Sequence, residues 1–211
     1  MATRASAREP LAARFYDVTH VVPRDLHAVV RNRRLAALAL GYALPAVLDY
    51  GIAASVLAQL GETEPYCVLL HATSRAEKLW PEAAWTELGG ELARQGYTCV
   101  LPWGDAAEHA RSERLAATLP NALVPPAMGI PGIARLLAGA VAVIGVDTGL
   151  THLAAALGRP VVALYCRTQP GLTGVYAASQ VPACNLGGAD AVPEVADVVA
   201  ALRRLMGGSA A

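Results

Sequence analysis

The sequence has almost no lysine. Sixteen of its 17 basic residues are arginine, and Lys78 is the exception. It has no charge excess either, because 17 acidic side chains balance the basic ones. A neutral balance excludes a nucleic-acid scaffold, which carries a basic stripe. Charged residues are scarce at 16%, against 55% hydrophobic, so a disordered or solvating chain is excluded. Long apolar runs are missing too. The longest candidate, Leu35 to Leu60, is interrupted by Pro45, Asp49 and Gln59, short of the ~18 uninterrupted apolar residues of a membrane span. The N-terminus, M-A-T-R-A-S-A-R-E-P, lacks the apolar run of a signal peptide, so the cytoplasm is the expected compartment. The four cysteines stand far apart with no C-x-x-C pair, which argues against a zinc ribbon or a thioredoxin-type site. Cys67 and Cys99 lie in strand-like apolar runs, and all four cysteines read as reduced thiols. Three phosphate-handling signatures are also absent. There is no G-x-G-x-x-G, no G-K-[ST] and no Asp-x-Asp pair, so a different device must handle phosphate if phosphate is the ligand.

What is present is a regular alternation. Residues 1–23 show no periodicity, and residues 25–40 read as a helix with Asp25 as its cap and Gly41 as its stop. A looser stretch with Pro45, Gly51, Gly61 and Pro65 suits a linker. From Tyr66 onward, strands are expected at 66–70, 97–101, 122–124, 141–146 and 161–165. Helices are expected at 82–95, 106–119, 133–138, 150–157 and 194–205. Strands that are nearly continuous apolar runs, each followed by a helix, indicate a parallel sheet covered on both faces. The expected fold class is therefore α/β, a Rossmann-like doubly wound sheet preceded by a short helical segment. The expected domain limits are 1–45, a 46–65 linker and 66–211.

In such a sheet ligands bind outside the carboxyl ends of the strands. The loops there hold His71-Ala72-Thr73-Ser74-Arg75 with Lys78, then Pro102-Trp103-Gly104-Asp105 with Glu108. Met128 follows the third strand, and Asp147-Thr148-Gly149 with Thr151 and His152 follows the fourth. At 145–152 a strand ends and a helix begins within three residues. Free N–H groups at such a helix start form an anion site, and Gly149 lets a ligand approach the backbone. Thr148 and His152, four apart, share a face of that helix. The alternative is ordinary capping by Asp147 with His152 packed. Lys78 suits a phosphate partner or a solvated surface lysine. Glu108 suits a ribose acceptor or a helix-dipole partner, and Met128 a base or sugar cover or plain packing. His71 reads as structural. Coding bias explains the sixteen arginines but not the lysine, which falls on a strand-exit loop beside Thr73 and Ser74.

These residues carry a resemblance. H-A-T-S-R-A-E-K-L-W-P at 71–81, L-P-W-G at 101–104, V-D-T-G-L-T-H-L-A-A-A-L-G at 146–158 and P-G-L-T-G-V-Y at 170–176 resemble the bacterial lipopolysaccharide heptosyltransferases of type I. The stretch 8–42 resembles the end of that family's first domain. The resemblance implies a GT-B glycosyltransferase that moves L-glycero-D-manno-heptose from ADP-heptose to a Kdo sugar of the lipid A inner core. It further implies inversion, no metal and no other cofactor. By motif, Thr73, Ser74 and Lys78 would meet the diphosphate, with Lys78 stabilising the leaving group. Glu108 would meet the ribose and Met128 the adenosine, while Asp147, Thr148, Gly149 and His152 would hold the heptose and phosphate side. Ser74 stands where a second threonine is common and keeps the hydroxyl.

The family's first domain, with its acceptor site and general base, is mostly absent. Asp17, Asp25 and Asp49 match no base motif. The expectation is a C-terminal piece that is the donor-binding half of the enzyme. Expected partners are ADP or ADP-heptose and a Kdo–lipid A acceptor reached through the missing domain, at the inner face of the inner membrane, with no nucleic acid. The alternatives are an inactive ADP-sugar-binding fragment, heptosyltransferase II or a sugar-nucleotide epimerase.

Overall fold

The computed structural model describes residues 11–52, 64–178 and 183–207. Most of the expected 46–65 linker, the first ten residues and Gly208 lie outside the described residues. The chain divides into two compact units, Met1–Leu48 with Gly171–Thr173, and Asp49–Pro170 with Gly174–Ala211.

In the first unit, helix α1 spans Ala28–Leu40. Its cap is His27, not Asp25, and the His27 imidazole accepts the Val29 N–H at 3.2 Å. Gly41 ends it in the left-handed region at φ 71°, and its N–H reaches the Ala37 carbonyl. The first free N–H of α1, that of Ala28, is satisfied at 2.8 Å by the Leu172 carbonyl.

The second unit is built on six strands. They are β1 (Tyr66–Leu70), β2 (Thr98–Val100), β3 (Ala122–Leu123), β4 (Ala142–Val146), β5 (Val161–Tyr165) and β6 (Ala183–Gly187). Between them run α2 (Glu82–Arg94), α3 (Ala106–Ala116), α4 (Ile130–Gly139), α5 (Gly149–Ala156) and α6 (Val195–Gly207). Every pairing is parallel, in the order β3-β2-β1-β4-β5-β6. Strands β1, β4 and β5 are buried at every position, as their unbroken apolar sequences require. Period-two alternation sorts their side chains. Cys67, Leu69, Cys99, Ile144 and Leu164 face Trp85, Leu88, Leu115, Val198 and Leu202 on α2, α3 and α6. Val68, Leu70, Val143 and Tyr165 face Ile133, Leu137, Ala154 and Ala155 on α4 and α5.

Three differences from the sequence reading have physical causes. The sixth strand was not expected. It is an edge strand with partly exposed positions and lacks an apolar run. Helix α4 begins at Ile130 rather than 133, because Pro131 sits in the first turn, where a missing N–H costs no helical bond. Strands β2 and β3 are shorter than expected, since ladder pairing extends only over Thr98–Val100 and Ala122–Leu123. The cysteines form no disulfide. Burial pushes the Cys67 thiol up to about 12 and that of Cys99 to about 11, so both are protonated core groups.

The start of α5 is set by a close approach. A Cβ on Gly145 would lie 2.2 Å from Thr151 Oγ1 and 3.1 Å from Leu70 Cβ. Buried Thr151 occupies that space and donates its hydroxyl to the Val146 carbonyl at 2.8 Å. Gly145→Ala should therefore push α5 off the sheet and cost about 1–3 kcal/mol, read by urea denaturation. An unchanged midpoint would show that the helix start is not fixed by this contact.

Candidate functional site

In this strand order the direction of winding reverses between β1 and β4, and a crevice opens there at the carboxyl edge. Leu69 pairs with Ile144 and Leu70 with Gly145, so the loops after β1 and β4 leave the sheet at the same level. The crevice has a volume of about 490 Å³. Thr73, Ser74 and Lys78 line it from the loop after β1, and Trp103, Gly104 and Glu108 after β2. Met128, Ile130 and Ile133 line it at α4, and Asp147, Thr148, Gly149, Leu150 and His152 after β4. All nine residues singled out in the sequence thus meet in one cavity.

Its centre is an ion pair across the reversal. Lys78 Nζ lies 2.6 Å from Asp147 Oδ2, with the side chains only 16% and 18% exposed. The Thr73 hydroxyl donates to the Asp147 backbone carbonyl at 3.3 Å, a second tie between the same loops. Asp147 does not cap α5. The N-cap is Thr148, in extended conformation, and its side chain makes no capping hydrogen bond. The start of α5, which lines the crevice at Thr148, Gly149 and Leu150, thus has no capping side chain. Gly149 is exposed there, and a Cβ on it would meet nothing within 4 Å.

Glu108 serves both the cavity and the turn before α3. It lines the cavity, and its Oε2 accepts the Gly104 N–H at 2.7 Å while its own N–H donates to the capping Asp105 carboxylate at 2.8 Å. Trp103 braces this wall by donating its indole N–H to the Pro125 carbonyl at 2.9 Å. His109, which carried no signal in the sequence, packs on Trp103 with ring centroids 4.2 Å apart. Thr168, on the loop after β5, was also missed as a site residue. Its hydroxyl donates to Asp147 Oδ2 at 3.0 Å. The loop after β5, Arg167-Thr168-Gln169-Pro170-Gly171, belongs to the same polar edge in the sequence, but nothing local ties Thr168 to Asp147, 21 residues away.

Behind the Lys78 loop lies a buried support. Trp80 is 1% exposed, donates its indole N–H to the Pro193 carbonyl at 2.8 Å, and stands edge-on to Trp85. Its own carbonyl accepts from Arg111, whose guanidinium also pairs with Glu82 at 2.9 Å. His71 is fully buried and shares a 2.8 Å hydrogen bond with Ser112. Burial foremost, then the Arg111 charge, lowers its pKa to about 4. His71 is therefore a neutral structural histidine, as the sequence suggested. Among the described residues no group of three or more His, Cys, Asp and Glu side chains is arranged to hold a metal ion.

A parallel sheet in this order, with an uncapped helix start and an ammonium at its reversal, defines a Rossmann-type binding domain suited to an anionic ligand. Which one is narrowed by comparison with known proteins. The model for glycosyltransferase family 9 (heptosyltransferase) matches residues 2–196, and the chain belongs to that family. It is 51% identical over 179 residues to lipopolysaccharide heptosyltransferase 1 of Pseudomonas aeruginosa, covering 84% of this chain and 50% of the relative. The corresponding Escherichia coli K12 protein is 47% identical over 178 residues, covering 83% and 56%. The structure of an E. coli heptosyltransferase with ADP superposes with a TM-score of 0.86 at 42% identity, covering 96% of this chain and 64% of that one. The chain thus spans about half to two thirds of the length of these relatives.

The buried imidazole sets a pH dependence. The unfolded chain takes up a proton at His71 near 6.5, whereas the folded one does so only near 4. Stability present above pH 6.5 is therefore lost as pH falls through that window, by up to about 3 kcal/mol from this group. His71→Gln should flatten the acid limb of a stability-versus-pH curve measured by urea titration. An unaltered slope would place the imidazole in solvent.

Proposed function

We propose that this chain holds the ADP end of ADP-heptose in the β1–β4 crevice. With the additional length its relatives carry, it would act as a lipopolysaccharide heptosyltransferase of type 1. The observation that carries this reading is the Lys78–Asp147 pair beside the uncapped start of α5, with all nine motif residues around it. Supporting it, the heptosyltransferase 1 relatives match along most of the chain. The type 2 enzyme of Salmonella typhimurium is 34% identical over only 46% of the chain.

In the proposed reaction the glycosidic C–O bond to the diphosphate breaks, and negative charge grows on the departing phosphate oxygen. Lys78, the hydroxyls of Thr73 and Ser74, and the N–H groups at Thr148 and Gly149 meet that charge. Glu108 accepts from the ribose, Met128 covers the adenosine, and His152 and Asp147 face the sugar side. The acceptor, Kdo on lipid A, attacks C1 of the heptose with inversion. Its proton goes to a general base contributed by the first domain of the family. The charges named here serve the leaving group in place of a metal. A lipid-linked acceptor brings the enzyme to the inner-membrane surface. Among the described residues no helix is long and apolar enough to cross a membrane. The chain by itself is expected to bind donor without transferring it.

Calorimetry with ADP tests the reading. Lys78→Ala should weaken ADP binding about 10–100-fold by removing a charge-assisted contact, and an unpaired Asp147 would add repulsion. Lys78→Arg should not restore it fully, because a planar fork does not replace a compact ammonium. Wild-type-like affinity in Lys78→Ala, or no ADP binding by the wild-type chain, would overturn the proposal.

Gly149→Ala separates ligand contact from folding. The added methyl meets no protein atom, so the melting temperature should not fall. ADP affinity should drop about tenfold if phosphate lies against the backbone. Full affinity would remove the helix start from the site.

A further inference from the structure

We infer that Thr168 is a positioning residue for the diphosphate site, acting through Asp147 on the lone lysine. The inference rests on the reading of the crevice given above. Thr168 does not line the cavity. Its hydroxyl donates to Asp147 Oδ2 at 3.0 Å, the same oxygen that takes Lys78 Nζ at 2.6 Å. Thr73 holds the backbone of Asp147 from the other side. The carboxylate is thus fixed from the loops after β1 and β5, across three adjacent strands, β1, β4 and β5.

The chemistry favours this arrangement. Lysine has a flexible four-carbon stem and no preferred fork geometry, so its ammonium goes where its counter-charge is. A carboxylate held by lysine alone can turn about its terminal torsion, which is broad and two-fold, and the ammonium turns with it. The Thr168 hydroxyl selects one orientation. It thereby places Nζ beside the start of α5 before any ligand arrives, so less ordering is left for the ligand to impose. Misplacing such a charge by about an ångström is costly in a reaction that depends on electrostatic stabilisation.

The sequence supplies its own probe. Lys78 is the only lysine, so protein grown with ε-13C-lysine and carrying a lysine-free tag gives one side-chain signal. Asp147→Asn, which removes the counter-charge, defines the unpaired position of that signal. Thr168→Val, which keeps the shape and loses the hydroxyl, should move the signal toward that position at an unchanged melting temperature. Thr168→Ser should leave it at the wild-type position. In calorimetry Thr168→Val should weaken ADP binding about three- to tenfold, the effect of one hydrogen bond, and Thr168→Ser should restore it. On an Asp147→Asn background the Thr168→Val step should add little. A signal unmoved by Thr168→Val, or moved equally by Thr168→Ser, overturns the inference. So does a signal that Asp147→Asn leaves in place, since the pair is then absent in solution. If Thr168→Val lowers the melting temperature, Thr168→Ala is read in the same way. The lysine signal needs no ligand, so failure of the wild-type chain to bind ADP would count against the proposed function alone.

Discussion

The pairing of β1 with β4 is the constraint on which the rest of the second unit depends. These strands come from the two halves of the sheet and lie side by side only because the winding reverses between them. Their register sets Leu70 against Gly145, which brings the two following loops out at one level. From that follow the crevice, the meeting of Lys78 with Asp147, and the exposure of the α5 start. The packing of Thr151 over Gly145 fixes how closely α5 sits on the sheet, and so where its N–H groups point.

Around this pair the charges are arranged by burial. Asp147 and Lys78 are partly covered, so their attraction is screened less than that of a surface pair. The exposed Arg75–Glu77 pair contributes little by comparison. A second layer keeps the lysine loop in place without touching the crevice. Trp80 anchors to the Pro193 carbonyl, Arg111 ties the Trp80 carbonyl to Glu82, and His71 stays neutral against Ser112. The loop itself turns through a short 3-10 segment, Ala76–Lys78, so its shape is set by both ends being held.

Much of this was legible in the sequence because strong local signals coincide with it. Continuous apolar runs marked β1, β4 and β5, and polar residues clustered just after them marked the crevice. Both follow from burial on two faces and from the strand-end rule. What escaped was non-local or weak. β6 is an edge strand whose sequence, A-C-N-L-G, carries polar Asn185, and its pairing with β5 rather than its composition makes it a strand. Asp25 looked like the cap of α1, but the nearer His27 imidazole takes the free N–H. Asp147 was open to reading as a cap, and only the position of Lys78, far along the chain, shows where its carboxylate goes. Thr168 and Trp103 act through partners on other loops, which no local pattern reveals.

The two charges of the crevice are 69 residues apart in the chain. During synthesis the cation therefore emerges from the ribosome well before its counter-ion. Until β4 has formed and docked beside β1, Lys78 is an ordinary lysine on a strand-exit loop. Parallel pairing over such a separation is slow to form, because loop closure precedes any contact that rewards it. The crevice is thus complete only once two distant parts of the chain have come together. A ligand of this crevice can recognise a finished sheet and hold it closed, but it cannot guide an unfinished one toward it.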